Sequence, residues 1–145
     1  MCTSFKGELL TGTHNFGTGV TRASTAADTF KAALYLASAT VNASTTAYSS
    51  TGEVTGTNYT AGGATVTNAT APATSGTTAY WTPSASISFS NVTLTTAFDA
   101  VLIYNSTQSN KAVSVHTFGS QTVTAGTFTL TMPTNDSSTG LIRLA

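Results

Sequence analysis

Apolar and polar residues alternate with a period of two along most of the chain, and that alternation predicts strands. In the segment from Asp28 to Ala37, Phe30, Ala32, Leu34 and Leu36 fall on one face, and Lys31, Ala33 and Tyr35 on the other. From Asn42 to Gly63 the pattern lapses into Ser, Thr, Gly and Asn, punctuated by Tyr48, Val54 and Tyr59. This composition predicts a long loop tacked down by its aromatics and closed by the turn signal Gly62-Gly63. A strand is expected next, from Ala64 to Thr70.

The second half is denser in strands. Thr78 to Thr82 and Ser86 to Ser90 carry Tyr80, Trp81, Ile87 and Phe89, and Pro83 between them cannot donate to a ladder, so it marks a break or an edge. The apolar phase slips between Phe89 and Val92, which predicts a β-bulge near Ser90-Asn91 that keeps Val92 and Leu94 on the core side. Ala97 to Tyr104 is apolar on both faces except for Asp99 and reads as the central strand. Ala112 to Phe118, Thr127 to Met132 and Gly140 to Leu144 complete the set, with Phe128, Leu130 and Met132 opposite Thr127, Thr129 and Thr131. Turns are expected at Asn105 to Asn110, at Gly119-Ser120-Gln121 and at Pro133 to Gly140.

Short strands at near-regular spacing, with no long helix, predict an all-β fold: an antiparallel β-sandwich of jelly-roll type in one domain spanning 1–145. Residues 28–145 would form the sandwich and 1–27 an N-terminal arm or short helix plus loop. Cys2 to Leu10 sets Phe5 and Leu9 at i, i+4 spacing, with Ser4 as a cap. Such a turn either plugs one end of the sandwich or docks on a partner.

Composition narrows the setting. About a third of the chain is Thr or Ser and only 7% is charged, with five basic side chains balancing five acidic ones. No two basic residues are adjacent, so the clustered cations that bind phosphate are missing and nucleic acid is not the expected partner. A net charge of zero leaves little self-repulsion and favours association. Cys2 is the only cysteine, which removes any internal disulfide, and its place at the start predicts no structural role. No apolar run approaches the length of a membrane span, and the opening Met1-Cys2-Thr3-Ser4-Phe5-Lys6-Gly7-Glu8 is not a secretory leader. Assembly in a reducing cytoplasm, away from any membrane, is the expectation.

Candidate chemistry is sparse. His14 sits in a Gly/Thr loop and His116 on a strand, neither with Cys, Asp or Glu at ligand spacing, so no metal site is expected. Serines abound without a G-x-S-x-G elbow, and a triad built from one of them with His116 and Asp99 has no local signature. Glu53 with Asp99 or Asp28 could be read as a glycosidase pair, but surface, turn or capping roles fit so few acids better. Asp99, if buried, needs a partner such as Lys111, Lys31 or Arg143, or else a place at the rim. The glycine-rich Gly52 to Thr57 and Gly17-Thr18-Gly19 match neither phosphate-binding fingerprint and read as turns. N-x-[ST] triplets at Asn42, Asn58, Asn68, Asn91, Asn105 and Asn135 follow from Thr-rich sequence with scattered Asn. Trp81, Tyr80, Tyr35, Tyr48 and Tyr59 could form a sugar platform, although cores and subunit interfaces use the same residues.

Several stretches resemble small structural proteins of tailed bacteriophages. They are Phe30 to Thr40, Thr51-Gly-Glu-Val-Thr-Gly-Thr-Asn-Tyr-Thr-Ala-Gly-Gly63, Ala100-Val-Leu-Ile-Tyr-Asn-Ser106 and the closing Ala125-Gly-Thr-Phe-Thr129 to Gly140-Leu-Ile-Arg-Leu-Ala145. The resemblance implies a non-enzymatic virion component without catalytic, cofactor-binding or metal residues. A capsid decoration (cement) protein is the first expectation, a tail or head-tail connector component the second and a carbohydrate-binding surface module the third. A homo-oligomer such as a trimer, seated on the major capsid protein, is the expected assembly. Phe5, Leu9, Leu10, Tyr48 and Tyr59 are the expected contact residues.

Overall fold

The computed structural model describes residues 2, 13–14, 28–67 and 72–145. Among them there is no helix, and seven strands run β1 (Phe30–Leu36), β2 (Ala64–Val66), β3 (Ala73–Ser75), β4 (Thr78–Trp81), β5 (Ile87–Asn105), β6 (Lys111–Leu130) and β7 (Ile142–Leu144). They form two sheets, one in the order β2-β1-β5-β6 and the other β3-β4-β7, and every pairing is antiparallel. The helix expected over Cys2 to Leu10 lies outside the described residues except for Cys2. That cysteine corrects an expectation: it is fully buried in the core cluster and its N–H donates to the Val113 carbonyl at 3.2 Å.

β1 and the second half of β5 make the interior of the larger sheet. Phe30 pairs with Asn105 and Leu34 with Val101. Ala100 through Tyr104 are all buried, as a strand covered on both faces requires. Asp99, at the margin of this run, is only half-buried, which places its carboxylate at the rim. In β1 the period of two is overridden, because Ala33 and Tyr35 are as buried as Ala32 and Leu34. The supposed outer face is covered by the loop that follows.

The long β5–β6 hairpin differs most from the pattern read in the sequence. Segments expected as separate strands merge, and the turn expected at Gly119-Ser120-Gln121 does not reverse the chain but lies within β6 at a shift in register. Register shifts interrupt the pairing between Phe89 and Val92, Val92 and Leu94, Leu94 and Phe98, and Phe98 and Ala100. The first is the bulge predicted at Ser90-Asn91, and Asn91 takes a left-handed φ of 53°. Ala125 does the same on the opposing strand at 46°.

These irregularities bend the ribbon sharply. Phe118 and Phe128 lie ten positions apart on β6, a span of about 33 Å in a straight strand, yet their ring centroids are 5.3 Å apart. Phe98 meets both edge-on, at 6.0 and 5.0 Å, and Phe89 reaches Phe128 at 6.3 Å. Burial of this aromatic cluster holds the bend closed, and edge-to-face geometry adds to the area term. The turn signal at Gly119 is therefore spent on curvature and not on strand reversal.

Candidate functional site

Glu53 is the most constrained functional group among the described residues. It lies in the loop between β1 and β2, which follows β1 as a discontinuous partner strand. Leu36 N–H donates to Gly52 C=O, and Val54 N–H donates to Leu34 C=O. Beyond them β2 takes over against Phe30 to Ala32. In the gap between these two pairings the Leu34 N–H would be left without a backbone acceptor, and the Tyr59 hydroxyl accepts it at 3.0 Å. That hydroxyl then donates its own proton to Glu53 Oε1 at 2.8 Å.

The remaining carboxylate positions are filled in the same manner. Gly62 N–H donates to Oε1 at 2.8 Å, and the Tyr48 hydroxyl to Oε2 at 2.6 Å. Tyr48 stacks on Tyr104 with centroids 4.7 Å apart, and the Tyr104 hydroxyl donates to Gly62 C=O at 2.8 Å. Tyr35 donates to the Ser49 carbonyl at 2.5 Å. Two tyrosines thus donate to one buried acid, and Tyr35 and Tyr104 fasten the loop around it through the Ser49 and Gly62 carbonyls. A carboxylate accepting three hydrogen bonds has its charge balanced by oriented donors and retains no access for a substrate. It pins the loop to β1 and β5.

Tyr48 and Tyr59, two of the expected contact residues, are both half-buried here with their hydroxyls directed inward. Phe5, Leu9 and Leu10 lie outside the described residues. The sequence missed Glu53 as a hub, although a signal was present. It is the only charged residue from Asn42 to Gly63, and it stands between Tyr48 and Tyr59.

Burial raises the phenol pKa values in this cluster, and the Glu53 charge raises them further. Tyr104 is pushed up to about 12, and Tyr48 and Tyr59 go higher. A phenol whose folded pKa exceeds its unfolded value near 10 favours the fold while neutral, so this contribution is complete below pH 10 and is lost as pH rises through the raised values. Alkaline titration followed by phenolate absorbance and circular dichroism should show the four tyrosines of the cluster ionising above the usual phenol range. A single step near pH 10 for all five would contradict the cluster.

Two further carboxylates among the described residues, Asp28 and Asp136, are also held as acceptors. Asp28, buried just before β1, accepts from Asn105 Nδ2 at 2.8 Å and from Gln108 Nε2 at 3.3 Å. Asn105 is fully buried, and its Oδ1 caps the β5–β6 turn by accepting from the N–H groups of Thr107 and Gln108, both at 3.1 Å. Its Nδ2 also faces His14 Nδ1 at 3.0 Å, and the amide's two protons serve Asp28 and His14 together. Asp136 organises the turn before β7, where its Oδ1 accepts from Ser138 and Thr139 N–H, both at 2.7 Å.

A Ser–His contact does occur: His116 Nε2 lies 2.9 Å from Ser114 Oγ, two residues away on β6. Ser114 is fully buried, however, so its hydroxyl cannot meet a substrate. Burial lowers the His116 pKa, which favours the neutral ring. His116 borders a groove of about 370 Å³ walled by Ile87, Ile103, Phe118, Phe128 and Met132. Among the described residues no three His, Cys, Asp or Glu side chains gather as metal ligands, and no helix is long and apolar enough to cross a membrane. Compared with protein-family models, curated proteins and solved structures, the chain matches none.

Proposed function

We propose that the chain is a capsid decoration protein of a tailed bacteriophage, a non-enzymatic part that binds the outside of the head. The observation that carries this reading is how the chain uses its acids. Glu53, Asp28 and Asp136 all serve as acceptors within the fold. Glu53 and Asp28 are buried, and the strands present outside a threonine-clad surface with few charges, such as Thr122, Thr124, Thr127 and Thr129 on β6. A neutral, hydroxyl-rich face suits broad contact with neighbouring subunits, where buried unpaired charges are costly. In this reading the two sheets act as the layers of one antiparallel sandwich of jelly-roll type, and the resemblance in sequence to phage structural proteins points the same way.

Each copy would contact the major capsid protein over a modest area. Engagement of several subunits by one oligomer raises the effective concentration of the remaining contacts, so avidity resists the outward pressure of packaged DNA. Purified protein mixed with expanded heads should co-sediment with them and raise their disruption temperature. Heads that neither bind the protein nor gain heat resistance would overturn the proposal, and binding to tails alone would move the protein to that station.

A further inference from the structure

We infer that a pocket at the end of β1 is a binding site for one unit of a neutral sugar. The turn that leaves β1 and the stretch 45–52 of the following loop enclose a space of about 430 Å³, within the roughly 300–1,000 Å³ of small-ligand sites. On its walls Ser38, Thr40, Ser49 and Thr51 are exposed and Thr45 is half-buried. Tyr35, one of the aromatics read as a sugar platform, is buried at its floor.

The state of the polar groups sets this pocket apart. Backbone donors around it are already engaged: Leu36 N–H on Gly52 C=O at 2.9 Å, Ala39 N–H on Leu36 C=O at 2.8 Å and Thr45 N–H on Asn42 C=O at 2.9 Å. Asn42 N–H donates to Thr45 Oγ1 at 3.0 Å and Thr51 N–H to Ser49 Oγ at 3.2 Å, which leaves both hydroxyl protons for an outside acceptor. The hydroxyls of Ser38, Thr40 and Thr51 join no hydrogen bond among the described residues. Hydroxyl groups with donors and acceptors to offer thus surround one space.

These features define the ligand. Among the described residues no charged side chain lines the pocket, so an ionic ligand would lose hydration without meeting a counter-charge. With the backbone donors engaged, a peptide would find no ladder to join. Hydroxyls remain, each able to donate and to accept, and a neutral sugar presents the same groups in return. Tyr35, Ala39 and Val41 supply apolar surface for the C–H face of its ring. The walls are also held in place before binding, because Tyr35 donates to the Ser49 carbonyl and Gly52 is tied to Leu36, so little loop entropy is lost when a ligand enters.

The inference is independent of the particle reading: a protein that binds heads and no sugar would overturn it and leave that reading intact. Amide chemical shifts of the isotope-labelled protein, followed while methyl glucoside, methyl galactoside, methyl mannoside or N-acetylglucosamine is added, test it directly. At least one of these should give saturable shifts confined to 35–52, with a Kd of about 1 mM. Glucuronate should bind about tenfold more weakly than the best neutral probe, since nothing at the site offsets its charge. Thr40→Val with Thr51→Val keeps the shape of both side chains and removes two hydroxyls that bond nothing in the fold, so binding should weaken about tenfold in a folded protein. Shifts that never saturate with any probe, or that fall outside the pocket, would overturn the inference, and the titration of the parent decides this without the variant. So would glucuronate binding as tightly as the neutral probes, or a folded T40V/T51V protein that binds as well as the parent.

Discussion

Glu53→Ala should lower the free energy of unfolding by about 3–5 kcal/mol, since the buried Gly62 N–H and two half-buried tyrosine hydroxyls lose their acceptor, the half-buried ones costing near the low end of the about 1–3 kcal/mol for a donor left unmade. The Tyr48 and Tyr59 hydroxyls and the Gly62 N–H all end on this carboxylate, and the Tyr59 hydroxyl also closes the gap in the β1 ladder at Leu34. Loss of the acid therefore loosens the loop from β1 and frees Tyr104 from its contact with Gly62. Glu53→Gln separates geometry from charge. Its carbonyl can accept from Tyr59 and Gly62, while its amide can donate to the Tyr48 hydroxyl, so the cost should fall to about 1–2 kcal/mol. Guanidinium unfolding of the two variants measures both. Equal losses in Ala and Gln would mean that the charge and not the hydrogen-bond geometry holds the loop, and a loss below about 1 kcal/mol in Ala would mean that the loop is not held there at all.

Gly63→Ala should be the most damaging single methyl in the loop. A Cβ at this position would lie 1.8 Å from the Ala32 carbonyl oxygen and 2.7 Å from Ala33 Cα, and the residue has a φ of +74°. Backbone crowds the site on the side of β1, so no side chain can swing aside, and β2 would have to lift off its pairing with Phe30 to Ala32. A cost of about 3–4 kcal/mol, or failure to fold, is expected. Gly76→Ala supplies the comparison, because its φ is +58° with nothing within 4 Å of the added carbon. That variant should lose only the left-handed backbone term, about 1 kcal/mol. Matching melting temperatures for the two variants would show that conformation alone, without the close approach, governs Gly63.

Much of the fold follows from local pattern. β1, the break at Pro83, the bulge at Ser90-Asn91 and the interior position of Ala97 to Tyr104 were all legible, because each depends on the local run of apolar residues or on a missing N–H. The merged hairpin was not. Gly119 carries a turn signal, but whether a glycine reverses a strand or only bends it depends on what the bend brings together, and Phe118 finds Phe98 and Phe128 only in three dimensions. Burial of Tyr35 was hidden for the same reason. Its face looked polar in the strand pattern, while the cover comes from Ser49 and Gly52 in the following loop.

The acids show this limit most clearly. A lone glutamate in an uncharged loop invites a reading as a surface or turn group, and only the folding of Tyr48, Tyr59 and Gly62 around it makes Glu53 a buried acceptor. Cys2 teaches a related lesson: its place at the start predicted no structural role, yet it is buried in the core with its N–H on the Val113 carbonyl. In both cases long-range pairing overrode a local expectation.

The proposed function turns on where the protein sits. Cryo-EM of the phage particles into which this chain would assemble under that proposal tests it most directly. Density matching the two sheets, repeated over the outer surface of the head at junctions between capsid subunits, is the predicted result. Density confined to the tail or connector, or particles that lack the protein altogether, would contradict it.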